Sequence, residues 1–165
     1  MKDKFILDAC CGPKFMWFNK NHPNTLYIDI RKEKKGFEKS RPNCEINPDV
    51  IADFRNLRQF KDKSFKLIVW DPPHMISKNY GSRMTNKYGF LYAETWPYDF
   101  KLGFKELWRV LDHYGVLLFK FNDTNINFRK VLKLFPINPL FSNTISNKKG
   151  SKTKWFCFMK IPEKK

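Results

Sequence analysis

Four short apolar runs in this chain each end on an aspartate: Phe5-Ile6-Leu7-Asp8, Leu26-Tyr27-Ile28-Asp29, Val50-Ile51-Ala52-Asp53 and Leu67-Ile68-Val69-Trp70-Asp71. Apolar runs of this length, bounded by turn residues, read as buried strands. The boundaries predict strands over 5–7, 26–30, 50–54 and 65–70. An acid that closes a strand puts a carboxylate at its C-terminal end, and in open α/β sheets that end is where ligands bind. The pattern therefore constrains the fold and the position of a site together. The fourth run carries the strongest punctuation, since Pro72, Pro73 and His74 follow Asp71. Proline fixes φ and lacks an N–H, so the strand stops there and the turn that follows is stiff.

Between the runs the periodicity changes. Small residues and a glycine follow Asp8, and such a turn lets backbone approach a ligand closely. Residues 14–20 then predict a helix, with Pro13 near its first turn. Residues 31–47 are polar and charged, and read as a short helix or a loop on a solvated face. A helical turn over 55–60 and a turn at 62–64 lead into the fourth strand. Residues 99–111 form the clearest helix, because Phe100, Phe104, Leu107, Trp108 and Leu111 recur at helical spacing. A turn at 112–115 precedes a fifth strand over 116–119. A helix over 126–135, closed by Pro136, precedes two strands over 137–141 and 154–161. These pair as a hairpin around a basic turn at 147–152. Strands alternating with helices imply an α/β sandwich with a mostly parallel sheet.

Residues 77–98 have no clean period. Lys78, Arg83 and Lys87 alternate there with Tyr80, Tyr88, Phe90, Tyr92 and Trp96. Cations between aromatics suit a surface that meets nucleic acid. The same composition suits a lid that packs over the core. Charge bears on the choice: the chain carries 32 Lys+Arg against 16 Asp+Glu, a formal net charge of +16. Such an excess attracts polyanions, although a lysine-rich genome produces it too. The length of 165 residues fits one domain, residues 1–165. No apolar run reaches the roughly 18 residues of a membrane span, and the first residues do not read as a signal peptide. The four cysteines read as reduced thiols of a cytoplasmic protein, and with the three histidines they lack zinc-ligand spacing.

The residues at the strand ends resemble those of the class I S-adenosylmethionine-dependent methyltransferases, over nearly the whole chain. Asp8-Ala9-Cys10-Cys11-Gly12 is similar to that family's first motif, with Cys10 and Lys14 where glycines are common. The resemblance implies a Rossmann-like sandwich on a mostly parallel seven-stranded sheet with an antiparallel C-terminal hairpin. It implies S-adenosyl-L-methionine as cofactor. Asp8, Ala9, Cys10 and Gly12 would hold its methionine part, Asp29 and Ile30 its ribose, and Asp53 and Phe54 its adenine. Asp71-Pro72-Pro73-His74 resembles the fourth motif of the amino-methyltransferases, with His74 where an aromatic residue is usual. That resemblance implies methylation of an exocyclic base nitrogen, adenine N6 first. Asp71, Pro72, Pro73 and His74 would be catalytic, with Asp71 bordering the cofactor as well.

The chemistry needs these residue types. An exocyclic amine is a poor nucleophile while its lone pair is delocalised into the ring. Asp71 and the Pro72 carbonyl are acceptors for its two N–H groups, and a fixed carboxylate stabilises the positive charge that develops on nitrogen. No metal is required. His74 would stack on a base that is flipped out or single-stranded. Lys120 either reaches the site from the fifth strand or is a surface charge. The expected partner is DNA or RNA, with a protein partner or a second copy aiding target recognition. Two other functions stay open: a methyltransferase of a small molecule or protein, and a nucleic-acid-binding module that kept the fold without the chemistry.

Overall fold

A computed structural model describes residues 3–146 and 152–162. Seven strands form one sheet: β1 (Ile6–Asp8), β2 (Thr25–Asp29), β3 (Val50–Ile51), β4 (Phe65–Trp70), β5 (Leu111–Asn122), β6 (Phe141–Ser146) and β7 (Lys152–Met159). Among the described residues three helices accompany them: α1 (Arg83–Tyr88), α2 (Trp96–Val110) and α3 (Phe128–Leu132). The strand order is β3-β2-β1-β4-β5-β7-β6. The first five strands are parallel, whereas β7 runs antiparallel to both β5 and β6. From β1 the chain moves outward through β2 and β3, then returns to add β4 on the other side. That reversal is the topological switch point at which open sheets bind ligands.

The expected sheet is present, and local details differ for physical reasons. No helix forms over 14–20. Lys14 takes a left-handed backbone (φ 55°), which an α-helix does not admit, and isolated turns bridge Cys11 to Lys14 and Lys14 to Trp17 instead. The loop at 31–47 is not wholly solvated, because Ile46 is fully buried and pairs with Glu33. The third strand stops at Ile51, and Asp53 bridges locally to Asn56 in place of the expected helical turn. The turn at 112–115 is absorbed as a bulge inside β5: Phe65 faces Leu111 while Leu67 already faces Val116, and Tyr114 takes φ 58°. The strand expected over 137–141 begins only at Phe141, after Pro139, which has no N–H for a ladder. The helix over 126–135 contracts to α3, capped by the Asn127 side chain. Of the basic turn at 147–152, only Lys152 lies within the described residues, and it opens β7.

The core is aromatic. Trp70, at the end of β4, is fully buried among Phe100, Phe119 and Phe135. Helix α2 turns Phe100, Phe104 and Leu107 onto the sheet, and Phe104 stacks on Phe135 at 4.3 Å between centroids. Pro97 and Asp99 suit its first turn and Arg109 its last. Gly103 lets α2 approach closely, since a Cβ there would lie 2.6 Å from the Phe54 ring. All four cysteines are free. Among the described residues no helix is long and apolar enough to cross a membrane.

Gly103→Ala therefore tests the packing that seats Phe54. Overpacking of this kind costs about 1–3 kcal/mol, more than the gain of up to about 1 kcal/mol in helix propensity. Urea unfolding should show a lower midpoint for the variant, and an unchanged or higher midpoint would mean that α2 can back away freely.

Candidate active site

The C-terminal ends of the parallel strands enclose a cleft of about 610 Å³. Its wall takes Ala9, Cys10 and Gly12 from the turn after β1, and Asp29 and Ile30 from β2. Asp53 and Phe54 follow from beyond β3, and Asp71, Pro72, Pro73 and His74 from beyond β4. The sequence-predicted site residues thus converge, with one exception. Asp8 lies behind the wall, fully buried, where its carboxylate accepts hydrogen bonds from the Trp17 indole (2.7 Å) and the Cys10 backbone (3.3 Å). Burial outweighs both bonds and pushes its carboxyl up to about 7.

Two strand-end acids share a construction that sequence reading missed. In Asp29-Ile30-Arg31 and again in Asp53-Phe54-Arg55, the arginine two residues on donates its backbone N–H to the aspartate Oδ1 at 2.9 Å. Each arginine side chain then folds back on the same carboxylate. Arg55 Nε lies 2.9 Å from both Asp53 oxygens, and its Nη1 reaches Asp99 at 2.8 Å. Burial works against the charge on Asp53, but Arg55 holds the carboxyl below the ordinary range. Arg31 Nε lies 3.4 Å from Asp29, and its Nη1 donates to the Asn86 carbonyl of α1 at 2.9 Å. The other Asp29 oxygen accepts from the Gly12 backbone at 2.9 Å. Gly12 sits at φ 46°, a backbone that favours glycine. The repeated Asp-x-Arg was the available signal for both arginines.

The opposite side of the cleft is built around Asp71. Lys120, from β5, donates to its Oδ2 at 2.6 Å, so the lysine belongs to the site and is no mere surface charge. Burial pushes the Asp71 carboxyl up, and Lys120 pulls it back without cancelling the rise. His74 stands edge-on to Phe121. Burial lowers its pKa against the attraction of Asp71, which favours a neutral imidazole. Residues 77–98 contain α1, fixed by a capping box between Ser82 and Thr85. Phe90 meets Tyr80 and Tyr92 edge-on, and all three rings line the cleft. The segment is thus a lid over the site. Among the described residues no three His, Cys, Asp or Glu side chains converge as a metal site.

Asp8→Asn keeps an acceptor for Trp17 and removes the buried charge. The parent carboxyl is raised above its unfolded value. Its contribution to stability is therefore complete below about 4, the ordinary aspartate value, and lost as pH rises through about 7. The variant should gain on the parent by roughly 4 kcal/mol across that window. Chemical unfolding at several pH values reads the difference, and a pH-independent gap would mean that Asp8 titrates like a solvated acid.

The sequence matches no protein-family model and no curated protein. Solved structures do match the fold. An S-adenosylmethionine-dependent methyltransferase from Methanosarcina mazei superposes with a TM-score of 0.60 at 15% identity, covering 99% of this chain and 95% of its own. An rRNA methylase from Streptococcus thermophilus gives 0.58 at 11% identity, with 97% and 89% covered. A geranyl diphosphate methyltransferase gives 0.56 at 10% identity, with 94% and 70% covered. What these proteins share with this chain is architecture: a mostly parallel seven-stranded α/β sheet with an antiparallel C-terminal pair, the class I methyltransferase fold.

Proposed function

We propose that this chain is an S-adenosyl-L-methionine-dependent methyltransferase acting on an exocyclic amino group of a nucleic-acid base, adenine N6 first. The observation that carries the reading is the position of Asp71-Pro72-Pro73-His74, at the switch-point cleft and facing the Asp29 and Asp53 side of the same cavity. The cleft fits the cofactor. Asp29 keeps acceptor capacity for a hydroxyl group beyond its contacts with Gly12 and Arg31, since a carboxylate offers about four lone-pair sites, whereas Arg55 takes four contacts on Asp53. Ile30 and Phe54 supply apolar surface for a ring. When bound, S-adenosyl-L-methionine supplies a methyl group on a sulfonium.

The chain's own residues prepare the nucleophile. Asp71 Oδ2 holds Lys120, which leaves Oδ1 for one N–H of the target amine. The Pro72 carbonyl accepts no backbone hydrogen bond among the described residues and takes the second N–H. Both contacts would draw the lone pair onto nitrogen for attack on the methyl carbon, whose bond to the sulfonium sulfur would break and leave a neutral thioether. The nitrogen then sheds one proton to Asp71 or to water. A carboxyl raised by burial accepts that proton more readily than a solvated one, and a dry wall strengthens its field on the developing charge. Among the described residues His74 meets another ring only at Phe121, edge-on, and so offers a ring face to the base.

Transfer of labelled methyl groups to total DNA and total RNA, followed by nucleoside analysis, tests the reading. Label should appear in an N-methylated base, and label in neither polymer would overturn it. Asp71→Ala should lower transfer roughly 10²–10⁴-fold while calorimetry still detects cofactor binding. Lys120→Met has a signed outcome. Asp71 must be ionised to accept the amine, and Lys120 favours that ion. Its loss should move the acid limb of the pH–rate profile to higher pH, whereas a limb that stays in place would remove Asp71 from that ionisation.

The rival reading, methylation of a small molecule, draws on the lid of Tyr80, Phe90 and Tyr92 over the cleft. The fold is also shared with a geranyl diphosphate methyltransferase. Net charge favours the polymer, and the labelling experiment separates the two.

A further inference from the structure

A second depression of about 430 Å³ lies between the turn after β1 and the loop at 31–47, and it shares Gly12, Pro13 and Phe15 with the active-site cleft. Phe15 stands at the shared rim with 42% of its surface exposed. Three cations surround its ring: Lys87 Nζ at 4.7 Å, the Arg41 guanidinium at 5.0 Å and Lys20 Nζ at 5.5 Å from the centroid. None of the three makes an ion pair among the described residues. Lys87 is only 8% exposed, yet its ammonium has no hydrogen-bond acceptor there. One acid, Glu45, borders the depression without pairing to them. Like charges gathered on one ring repel each other, and the arrangement is stabilised when an anion arrives. The cations lie over the exposed ring, and this matches a nucleotide, whose phosphate draws them off the ring and whose base then stacks on it.

We infer that Phe15, Lys20, Arg41 and Lys87 form a subsite for a nucleotide flanking the target base in single-stranded nucleic acid, with its base on Phe15 and its phosphodiester among the three cations. The inference rests on the proposed base methylation, because the subsite opens into the cleft that holds Asp71. It assigns the turn after β1 a substrate-binding part beside its part in the cofactor cleft. It also explains Phe15, an exposed aromatic that no core contact requires. Lys87 comes from α1, so the lid and the β1 turn close on the same strand.

Binding of a fluorescent single-stranded oligonucleotide, titrated at several salt concentrations, tests the subsite. Lys20→Gln with Arg41→Gln removes two exposed charges. The pair should weaken binding and reduce the salt slope by about 1, the order expected for one or two lost phosphate contacts on single strands. Phe15→Ala should weaken binding roughly 5- to 150-fold at every salt concentration with the slope unchanged. The control is Lys101→Gln with Lys105→Gln, two exposed lysines of α2 outside both cavities, which should leave the slope as it was. Parental slope and affinity in the Phe15 and Lys20/Arg41 variants would overturn the subsite and leave base methylation standing. If the double variants all lost the same slope, the overall field would be responsible and the subsite would again fail. Oligonucleotide binding that is absent even in the parent protein would sink the base-methylation reading and the subsite with it. A mononucleotide that competes as well as an oligonucleotide would reassign the pocket to a small phosphate ester.

Discussion

The Asp29 carboxylate is the junction on which the site depends. One oxygen holds the Gly12 backbone and the other holds the Arg31 backbone. Arg31 in turn holds the C-terminal carbonyls of α1, at 2.9 Å to Asn86 and 3.5 Å to Lys87. A single acid at the end of β2 therefore connects the turn after β1, its own strand and the lid. Asp29 is only 6% exposed, and a buried carboxylate left without such donors would cost several kcal/mol. The lid is thus coupled to the floor of the cleft through a charge. Any ligand that takes a lone pair of Asp29 also acts on the group that holds α1.

The other acids divide the cleft by their partners. Asp53 faces a guanidinium and is held ionised. Asp71 faces a single ammonium and is pushed toward neutrality by its walls. Asp8 has no ion-pair partner among the described residues, only the Trp17 indole and the Cys10 backbone, and burial raises its carboxyl to about 7. Ordering by partner explains how a chain of net charge +16 keeps Asp53 ionised on one side of the cleft, raises Asp71 on the other and raises Asp8 behind the wall. The ionised Asp53 is an acceptor for fixed contacts. The raised one beside Pro72 is suited to a proton that comes and goes.

Much of this was legible. The apolar runs ending in acids marked β1, β2 and β4 and placed Asp29, Asp53 and Asp71 on one cleft, because strand periodicity is a local property. The missing helix at 14–20 was not legible. Its composition suits a helix, but Lys14 is left-handed and Trp17 is drawn in to Asp8, a contact set by burial. Position 14 is where glycine is common in the resembling family, and the left-handed backbone supplies the reason. Helix α1 was hidden because a capping box between Ser82 and Thr85 specifies it, not an apolar stripe. The length of β5 depends on β7, which pairs with it from Val116 to Asn122 across a sequence separation that no local pattern reports. The role of Lys120 depends on the same register.

His74 follows from the same accounting. An aromatic ring at this position would bring area without charge. A histidine matches it only while uncharged, and the surroundings enforce that: burial lowers its pKa, and Lys120 adds a nearby positive charge that resists a second one. Asp71 opposes them, but its oxygen is already engaged by Lys120 at 2.6 Å. Burial therefore keeps the neighbouring imidazole neutral, against the attraction of Asp71 and with the smaller help of Lys120. The titratable ring behaves as a stacking surface because its walls are dry, and Lys120, by pairing with Asp71, offsets part of the one charge that would favour the imidazolium.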